Sequence, residues 1–178
     1  MKWKTVLYFM MQKMRLVYNL LLGLVIAVSL AISPLFVSDA QALGVEVDPP
    51  EINLKDVPLG RKVAVSALGG DQMKLRIQNK GPVAYTYTIT VLPASKTSSP
   101  LKKGYIDIPH TSWLWPQEKE VLIPGNSVKE VELFLKIPRR KRYKGKDFQA
   151  IIEVKSKKNR PEEIFVVAVQ LRFCFSTH

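Results

Sequence analysis

The chain has 178 residues, with 27 lysines and arginines against 15 aspartates and glutamates, which gives a formal net charge of +12. Its two histidines and single cysteine exclude a fold held by internal disulfides and a zinc module built on clustered cysteines. Hydrophobic residues make up 47% of the chain and charged residues 24%, as in a globular protein. We therefore expect one globular domain that needs neither a metal ion nor a cofactor, with Cys174 as a small buried side chain or, alternatively, paired with another molecule.

Residues 1–42 have the layout of an export signal. Residues 1–15 carry four cations and no acid, and 16–37 follow as an almost unbroken apolar run. Ala40 and Ala42 place small residues at the two positions that a signal peptidase recognises, which predicts cleavage after Ala42. The alternative is an uncleaved membrane anchor, because 20–37 has about the minimum length that spans a bilayer. In both cases residues 43–178 are expected outside the membrane, in the periplasm, on the cell surface or in the medium.

Residues 43–178 alternate apolar and polar side chains in the manner of β-strands. A strand that faces a core repeats every second residue, whereas a helix repeats roughly every 3.6 residues. The two-residue period holds in the segments 73–78, 85–92, 128–137, 147–155 and 164–175, which are separated by proline and glycine turns. Within 93–127, the stretches 105–108 and 113–115 are each expected to form a short strand or a packed loop. The pattern predicts an all-β antiparallel sandwich of about seven to eight strands.

Four stretches resemble the bacterial Ig-like sandwiches of the PapD-like, pilus-chaperone superfamily. They are VDPPEINLKDVPLG (47–60), LRIQNKGPVAYTYTITV (75–91), VLIPGNSVKEVELFLKIP (121–138) and FQAIIEV (148–154). The resemblance implies an Ig-like fold and a role as an exported chaperone or adaptor. Pilus chaperones have two such sandwiches with a basic cleft between them, whereas this chain has room for one. No residue here matches their cleft arginine and lysine, so a complete pilus chaperone is not expected.

The sharpest local feature is a basic segment at 139–146, where six of eight residues are cations. Its named members are Arg139, Arg140, Lys141, Arg142, Tyr143, Lys144 and Lys146. One interpretation is a solvated loop that keeps the protein soluble. The other is a binding site for an anionic glycan, an envelope polymer or a membrane surface, in which arginines hold phosphates and Tyr143 offers a flat surface to a sugar. Nucleic acid is not expected as a partner of an exported domain.

The topology of a sandwich predicts more cations at the same end of the domain. In a seven-strand sandwich, the loops after the first, third and fifth strands emerge together. Those loops carry, besides the basic segment, Arg61, Lys62, Lys96, Lys102 and Lys103.

The final predicted strand, 164–175, is a second candidate site. Ile164, Val166 and Ala168 make one of its faces more apolar than a solvated edge should be. If this strand lies at a sheet edge, it can pair with a strand of a partner protein. The alternative is that both faces are covered, one by the opposing sheet and one by the 93–115 loop. In that loop, Trp113 and Trp115 are expected either in the core or as an exposed pair that stacks on a sugar.

Catalysis has little support in the sequence. Asp107, His110 and Ser112 include the residue types of a hydrolytic triad, but neighbours in one loop supply neither its geometry nor an oxyanion hole. Glu118 and Glu120 resemble ordinary surface acids. We predict a protein that is not an enzyme: an exported, envelope-associated protein-binding module, adaptor or chaperone-like. The alternatives are a binder of anionic polymer through the basic segment and, with least support, a hydrolase.

Overall fold

The computed structural model describes residues 44–158 and 166–178, which belong to the compact unit Ala42–His178. The predicted leader, with Ala40 and Ala42, lies outside the described residues, as does Ile164. In the part that is described, no helix is long and apolar enough to cross a membrane.

The described residues form twelve strands, one short helix and four 3-10 turns. The strands are β1 Val45–Asp48, β2 Glu51–Val57, β3 Lys62–Ala64, β4 Leu75–Asn79, β5 Tyr85–Pro93, β6 Ile106–Asp107, β7 Leu114–Pro116, β8 Glu120–Ile123, β9 Ser127–Val131, β10 Leu133–Lys136, β11 Asp147–Ser156 and β12 Ala168–Thr177. The helix α1 is Val65–Gly69, and the 3-10 turns are Asp71–Met73, Ala94–Lys96, Thr111–Trp113 and Lys141–Tyr143.

The strands belong to three sheets around one hydrophobic core. The largest sheet has the order β2-β12-β11-β5-β8, with β6 beside β11, and the other two have the orders β1-β4-β9 and β3-β10-β7. The pairs β2–β12 and β6–β11 are parallel, and the remaining strand pairs are antiparallel. The all-β sandwich predicted from the sequence is confirmed.

The predicted strand count is too low because short strands and a sheet crossover add to it. Ile106–Asp107 and Leu114–Pro116 are both strands. The predicted strand 128–137 divides at Glu132 into β9, which pairs with β4, and β10, which pairs with β3. The carboxylate of Glu132 accepts hydrogen bonds from the backbone nitrogen (3.2 Å) and the hydroxyl (2.5 Å) of Ser66. This contact holds the chain where it passes from one sheet to another.

The core is built from the alternating apolar side chains of the long strands. In β11, Phe148, Ala150, Ile152 and Val154 are fully buried, and the neighbouring strand β12 contributes Phe173. Full burial of one such large side chain stabilises the fold by roughly 1.5–3 kcal/mol relative to its exposure. The alternation seen in the sequence is therefore what fixes the register of the largest sheet.

A buried asparagine ties two turns together at one end of the sandwich. The side-chain nitrogen of Asn79 donates to the carbonyl oxygens of Val83 (2.7 Å), Ile123 (3.2 Å) and Pro124 (3.1 Å). Its side-chain oxygen accepts from the backbone nitrogen of Gly81 at 3.1 Å. The backbones of the two turns also share a hydrogen bond, from the nitrogen of Asn126 to the carbonyl of Gly81 at 2.8 Å, and the Asn79 side chain satisfies further backbone groups between them.

Candidate functional site

The final strand, β12, is an edge strand along only part of its length. It begins at Ala168, so Val166 precedes it, and β11 pairs with it from Ala168 onward. On its other side β2 pairs with it only from Arg172. The condition for pairing with a partner strand, a position at a sheet edge, therefore holds only for the part of β12 before Arg172. Among the described residues, no strand lies on that side of 168–171, which we call the open edge.

The start of β2 sets the limit of the open edge. β1 pairs with β4 in a different sheet, and the chain reaches the largest sheet only after Pro49 and Pro50, with a cis peptide bond between Asp48 and Pro49. The first residue of β2, Glu51, then lies opposite Arg172. Among the described residues, no strand from this part of the chain is therefore paired with β12 before Arg172, although β1 passes close to β12.

The open edge presents backbone groups that a further strand can bind. The backbone nitrogen of Ser156 donates to the carbonyl of Val167 at 2.9 Å. Because hydrogen-bonding direction alternates along an antiparallel strand, Val169 and Leu171 bond to β11, whereas Ala168 and Gln170 direct their N–H and C=O groups away from it. Arg172 likewise directs its backbone groups away from β11, and its nitrogen donates to the carbonyl of Pro50 at 3.1 Å.

Side chains along the open edge are uncharged. Val166 is 37% exposed, and Ala168 and Gln170 are also exposed, while Leu171 is buried on the core side. The amide of Gln170 donates to Glu153 of β11 at 2.8 Å. Natural sheet edges are usually protected by charged side chains, and this one is not.

The opposite edge of the same sheet, β8, carries such protection. Glu120 forms an ion pair with Lys157 at 2.6 Å, and Lys119 stands next to it. Leu122 is 64% exposed on this strand. The two edges of this sheet therefore differ in charge.

The second half of β12 has both faces covered. The backbone nitrogen of Lys102 donates to the side-chain oxygen of Gln149 at 2.9 Å, and the Gln149 amide donates to the carbonyl of Pro100 at 3.1 Å. The loop before β6 thus covers the outer side of the sheet at Gln149, where Cys174 is the paired residue. Cys174 is fully buried, and desolvation raises the pKa of its thiol to about 11. It is the small buried side chain that the sequence predicted.

Glu51, the first residue of β2, forms ion pairs with two cationic side chains. Glu51 accepts hydrogen bonds from the Lys102 ammonium and from Asn53 (2.8 Å), and its second oxygen lies 2.9 Å from the guanidinium of Arg172. The bond from Lys102, opposed by desolvation and aided by Asn53 and Arg172, lowers the pKa of Glu51 from 4.5 to about 2. Lys102 was predicted beside the basic segment; that prediction is wrong because Glu51 binds it here.

Glu51 should make stability depend on acid pH. Its carboxylate has a lower pKa in the folded than in the unfolded chain, so its contribution is complete above pH 4.5 and is lost as the pH falls toward 2. Across this pH interval, we expect the free energy of unfolding of the wild type to fall by about 1–2 kcal/mol more than that of Glu51→Gln, after allowance for solvent screening. Urea unfolding of both proteins at several pH values measures the difference, and parallel curves would contradict the assignment.

Tyr143 does not lie on the surface. The turn Lys141–Tyr143 directs its ring inward, where it is 5% exposed and packs at 4.7 Å from Trp113 and 6.3 Å from Phe148, measured between ring centroids. The predicted sugar-stacking role of Tyr143 is therefore wrong. Its hydroxyl accepts a hydrogen bond from Arg142 at 2.6 Å, and the Arg142 guanidinium lies 4.7 Å from the ring centre.

Four cations of the basic segment line a cleft together with Arg61, a cation from a distant part of the sequence. This basic cleft has a volume of about 610 Å³, and its charged or titratable lining residues are Arg61, Arg139, Arg140, Lys141, Lys144 and His178. Arg142 and Lys146 belong to the basic segment but do not line it.

Of the five further cations predicted at this end, Arg61 is the one that lines the basic cleft. Lys62 lies over the rings of Phe134 and Trp115, at 4.0 and 5.7 Å from their centres. Lys96 lines a different cleft, beside His110. Lys103, like Lys102, is absent from the lining of the basic cleft.

The two tryptophans have different environments. Trp113 is 4% exposed and packs edge-on against Phe148 at 5.6 Å, which confirms core packing for this residue. Trp115 is half-buried and lies 6.0 Å from Phe134. They do not form an exposed stacking pair.

The acids considered for catalysis have structural partners. Asp107 accepts hydrogen bonds from the backbone nitrogens of Ala94 (2.6 Å) and Ser95 (3.1 Å), so it holds the turn after β5. Glu118 pairs with Lys129 at 2.7 Å, and Glu120 pairs with Lys157. These contacts account for the three carboxylates without a reaction.

Comparison with solved structures shows a PapD-like Ig-like fold. A PapD-like domain of human CEP192 matches with a TM-score of 0.55 and 11% identity, over 80% of this chain and 91% of that one. The periplasmic chaperone SfaE matches with a TM-score of 0.50 and 9% identity, over 76% of this chain and 58% of that one. A chain from the complex of SafA pilin with SafB chaperone of Salmonella enterica gives 0.51 and 10%, over 78% of this chain and 56% of that one. No protein-family model matches the chain, and no curated protein matches its sequence.

Proposed function

We propose that the protein is an exported protein-binding module, chaperone-like or adaptor-like, that pairs an extended segment of a partner protein with the open edge at 168–171. The observation that carries the proposal is that Ala168 and Gln170 direct backbone donors and acceptors away from β11, where no described strand meets them. Backbone pairing of this kind supplies affinity, and side-chain pockets supply specificity.

The side chains of the open edge define the chemistry of the partner. Val169 and Leu171 face the core side, where Leu171 is buried and Val169 packs against the core cluster. A strand added beside them places every second side chain on that same apolar side, whereas the others lie beside the exposed Gln170. The partner segment therefore alternates apolar and polar residues.

The fold and the sequence of the leader support export. The solved chains of similar fold include a periplasmic chaperone and a chain from a complex of a pilin with a chaperone. Residues 1–42 carry the basic and apolar pattern of an export signal, with cleavage after Ala42. The mass of the exported protein tests the cleavage of the leader. A chain that starts at residue 43 supports cleavage after Ala42, and a chain that retains Met1 contradicts it.

Proline variants test the open edge. Ala168→Pro removes one outward N–H at the first residue of β12, where proline is tolerated and no bond to β11 is lost. We expect this variant to lose at least about tenfold in affinity for a synthetic peptide of alternating valine and threonine, because a backbone hydrogen bond is lost and the ring blocks the edge. Isothermal titration calorimetry measures the affinity.

Leu122→Pro is the matched control. It removes an outward N–H from β8, the charged edge of the same sheet, since Leu122 lies between Val121 and Ile123 in the hydrogen-bonding alternation of β5 and β8. This variant should bind the peptide like the wild type. The proposal would be overturned if Leu122→Pro weakened peptide binding and Ala168→Pro left it unchanged. That result would assign the partner to β8.

A further inference from the structure

We infer that the basic cleft is a binding site for a ligand that carries several phosphate groups close together, such as a phosphorylated glycan. This site is separate from the open edge. It lies where residues 58–61 meet residues 139–144, and its lining includes Arg61 as well as the basic segment.

The walls of the basic cleft are held together by the backbone. The nitrogen of Gly60 donates to the carbonyl of Ile137 at 2.7 Å, and Leu59 forms a parallel bridge with Ile137. Gly60 has a φ of +81°, and a Cβ atom built on it would lie 3.2 Å from the Cβ of Arg139. The backbones that carry Arg61 and Arg139 are therefore packed closely.

The basic segment itself is anchored in the core. Tyr143 is buried, and its carbonyl accepts a hydrogen bond from the hydroxyl of Thr177. The nitrogen of Gly145 donates to the carbonyl of Thr177 at 3.1 Å, and the nitrogen of Thr177 donates to the carbonyl of Lys146 at 3.0 Å. The cations are presented from a fixed backbone, which lowers the ordering cost of binding.

Within the described residues, the arginines and lysines of the cleft have no acidic partner, unlike many other cations of this protein. Over residues 44–158 and 166–178, ion pairs with carboxylates include Lys74, Arg76, Lys80, Lys102, Lys129, Lys157 and Arg172. None of these pairs involves Arg61 or the four lining cations of the basic segment, and no aspartate or glutamate lines the cleft. His178, which also lines the cleft, lies 3.0 Å from the carboxylate of Asp56. Such a group of like charges is unfavourable until an anion neutralises it.

The number of cations and the shape of the site point to a multiply phosphorylated ligand. One phosphate group carries about −1.5 to −2 charges at pH 7, so the five arginines and lysines match two or three phosphates. Arginine binds phosphate through two parallel N–H donors, and lysine binds it as a point charge. A volume of about 610 Å³ is that of a ligand pocket. A concave site fits a soluble phosphorylated group better than a flat bilayer.

Arg61 distinguishes a shaped site from a simple run of charge. Arg61→Gln removes a cation that is distant in sequence but lines the cleft, whereas Lys146→Gln removes one that is within the run but outside it. Both side chains are exposed, so neither change should affect folding. Thermal melts of the two variants check this expectation. With tripolyphosphate as the probe, we expect Arg61→Gln to weaken binding about tenfold and Lys146→Gln to weaken it less than about twofold.

Three ligands separate the outcomes at one fixed salt concentration. Tripolyphosphate should bind more tightly than orthophosphate, and tripolyphosphate should bind more tightly than vesicles of phosphatidylglycerol and phosphatidylcholine offered at the same phosphate concentration. Equal losses from Arg61→Gln and Lys146→Gln would overturn the inference, because they would show attraction to net charge alone. Binding to vesicles without binding to tripolyphosphate would also overturn it and would assign the surface to membranes.

Discussion

Replacing Tyr143 with alanine is expected to lower the free energy of unfolding by about 3–5 kcal/mol, the usual cost of deleting a large buried aromatic side chain. The ring is almost fully buried between Trp113 and Phe148, and Phe148 in turn packs 5.3 Å from Phe175. The deletion therefore leaves a cavity in an aromatic cluster that joins the basic segment to the largest sheet. Urea denaturation monitored by tryptophan fluorescence measures the loss.

The variant Tyr143→Phe is the control for this cavity. It keeps the ring and removes only the hydroxyl that accepts from Arg142, so it should cost less than about 1 kcal/mol. A Tyr143→Ala variant as stable as the wild type would show that the ring is not part of the core, and would restore the surface role first expected for it.

The second large effect is expected at the turn network around Asn79. Asn79→Ala should lower the free energy of unfolding by about 2–4 kcal/mol, because it leaves the carbonyls of Val83, Ile123 and Pro124 and the nitrogen of Gly81 without their described partner. Thermal and urea unfolding both report this loss.

An acid at the same position provides the sharper control. Asn79→Asp has nearly the same shape but places a carboxylate oxygen where the amide now donates to carbonyl oxygens. We expect it to be less stable than Asn79→Ala at neutral pH and to recover part of the loss in acid, when the carboxyl is protonated. An Asn79→Asp variant as stable as the wild type at neutral pH would refute the assigned hydrogen-bond network.

The fold could be predicted because its main determinant is local. Segments such as 85–92 and 147–155 place apolar residues at every second position, and this alternation specifies both the strands and their buried faces. Tyr143 was misassigned because a charged neighbourhood in sequence predicts exposure, whereas the 3-10 turn Lys141–Tyr143 directs its ring into the core. A turn of this kind leaves no periodic signal.

The candidate sites depend on contacts that lie far apart in the sequence. The apolar face of the last strand suggested a partner site if that strand lies at a sheet edge, but the extent of the edge depends on where β2 starts to pair, at Glu51 opposite Arg172. Likewise, loop order predicted that Arg61 and the basic segment would share one end, but not that Glu51 would bind Lys102 elsewhere. Which cation meets which acid is decided by tertiary geometry, and no spacing in the sequence encodes it.

Photocrosslinking inside native cells tests the open edge most directly. A benzophenone amino acid at Gln170 should form a covalent adduct with a partner protein, the same amino acid at Leu122 should not, and Ala168→Pro should abolish the adduct from position 170. Adducts from position 122 but not from 170, or an adduct from 170 that survives Ala168→Pro, would contradict strand pairing at 168–171.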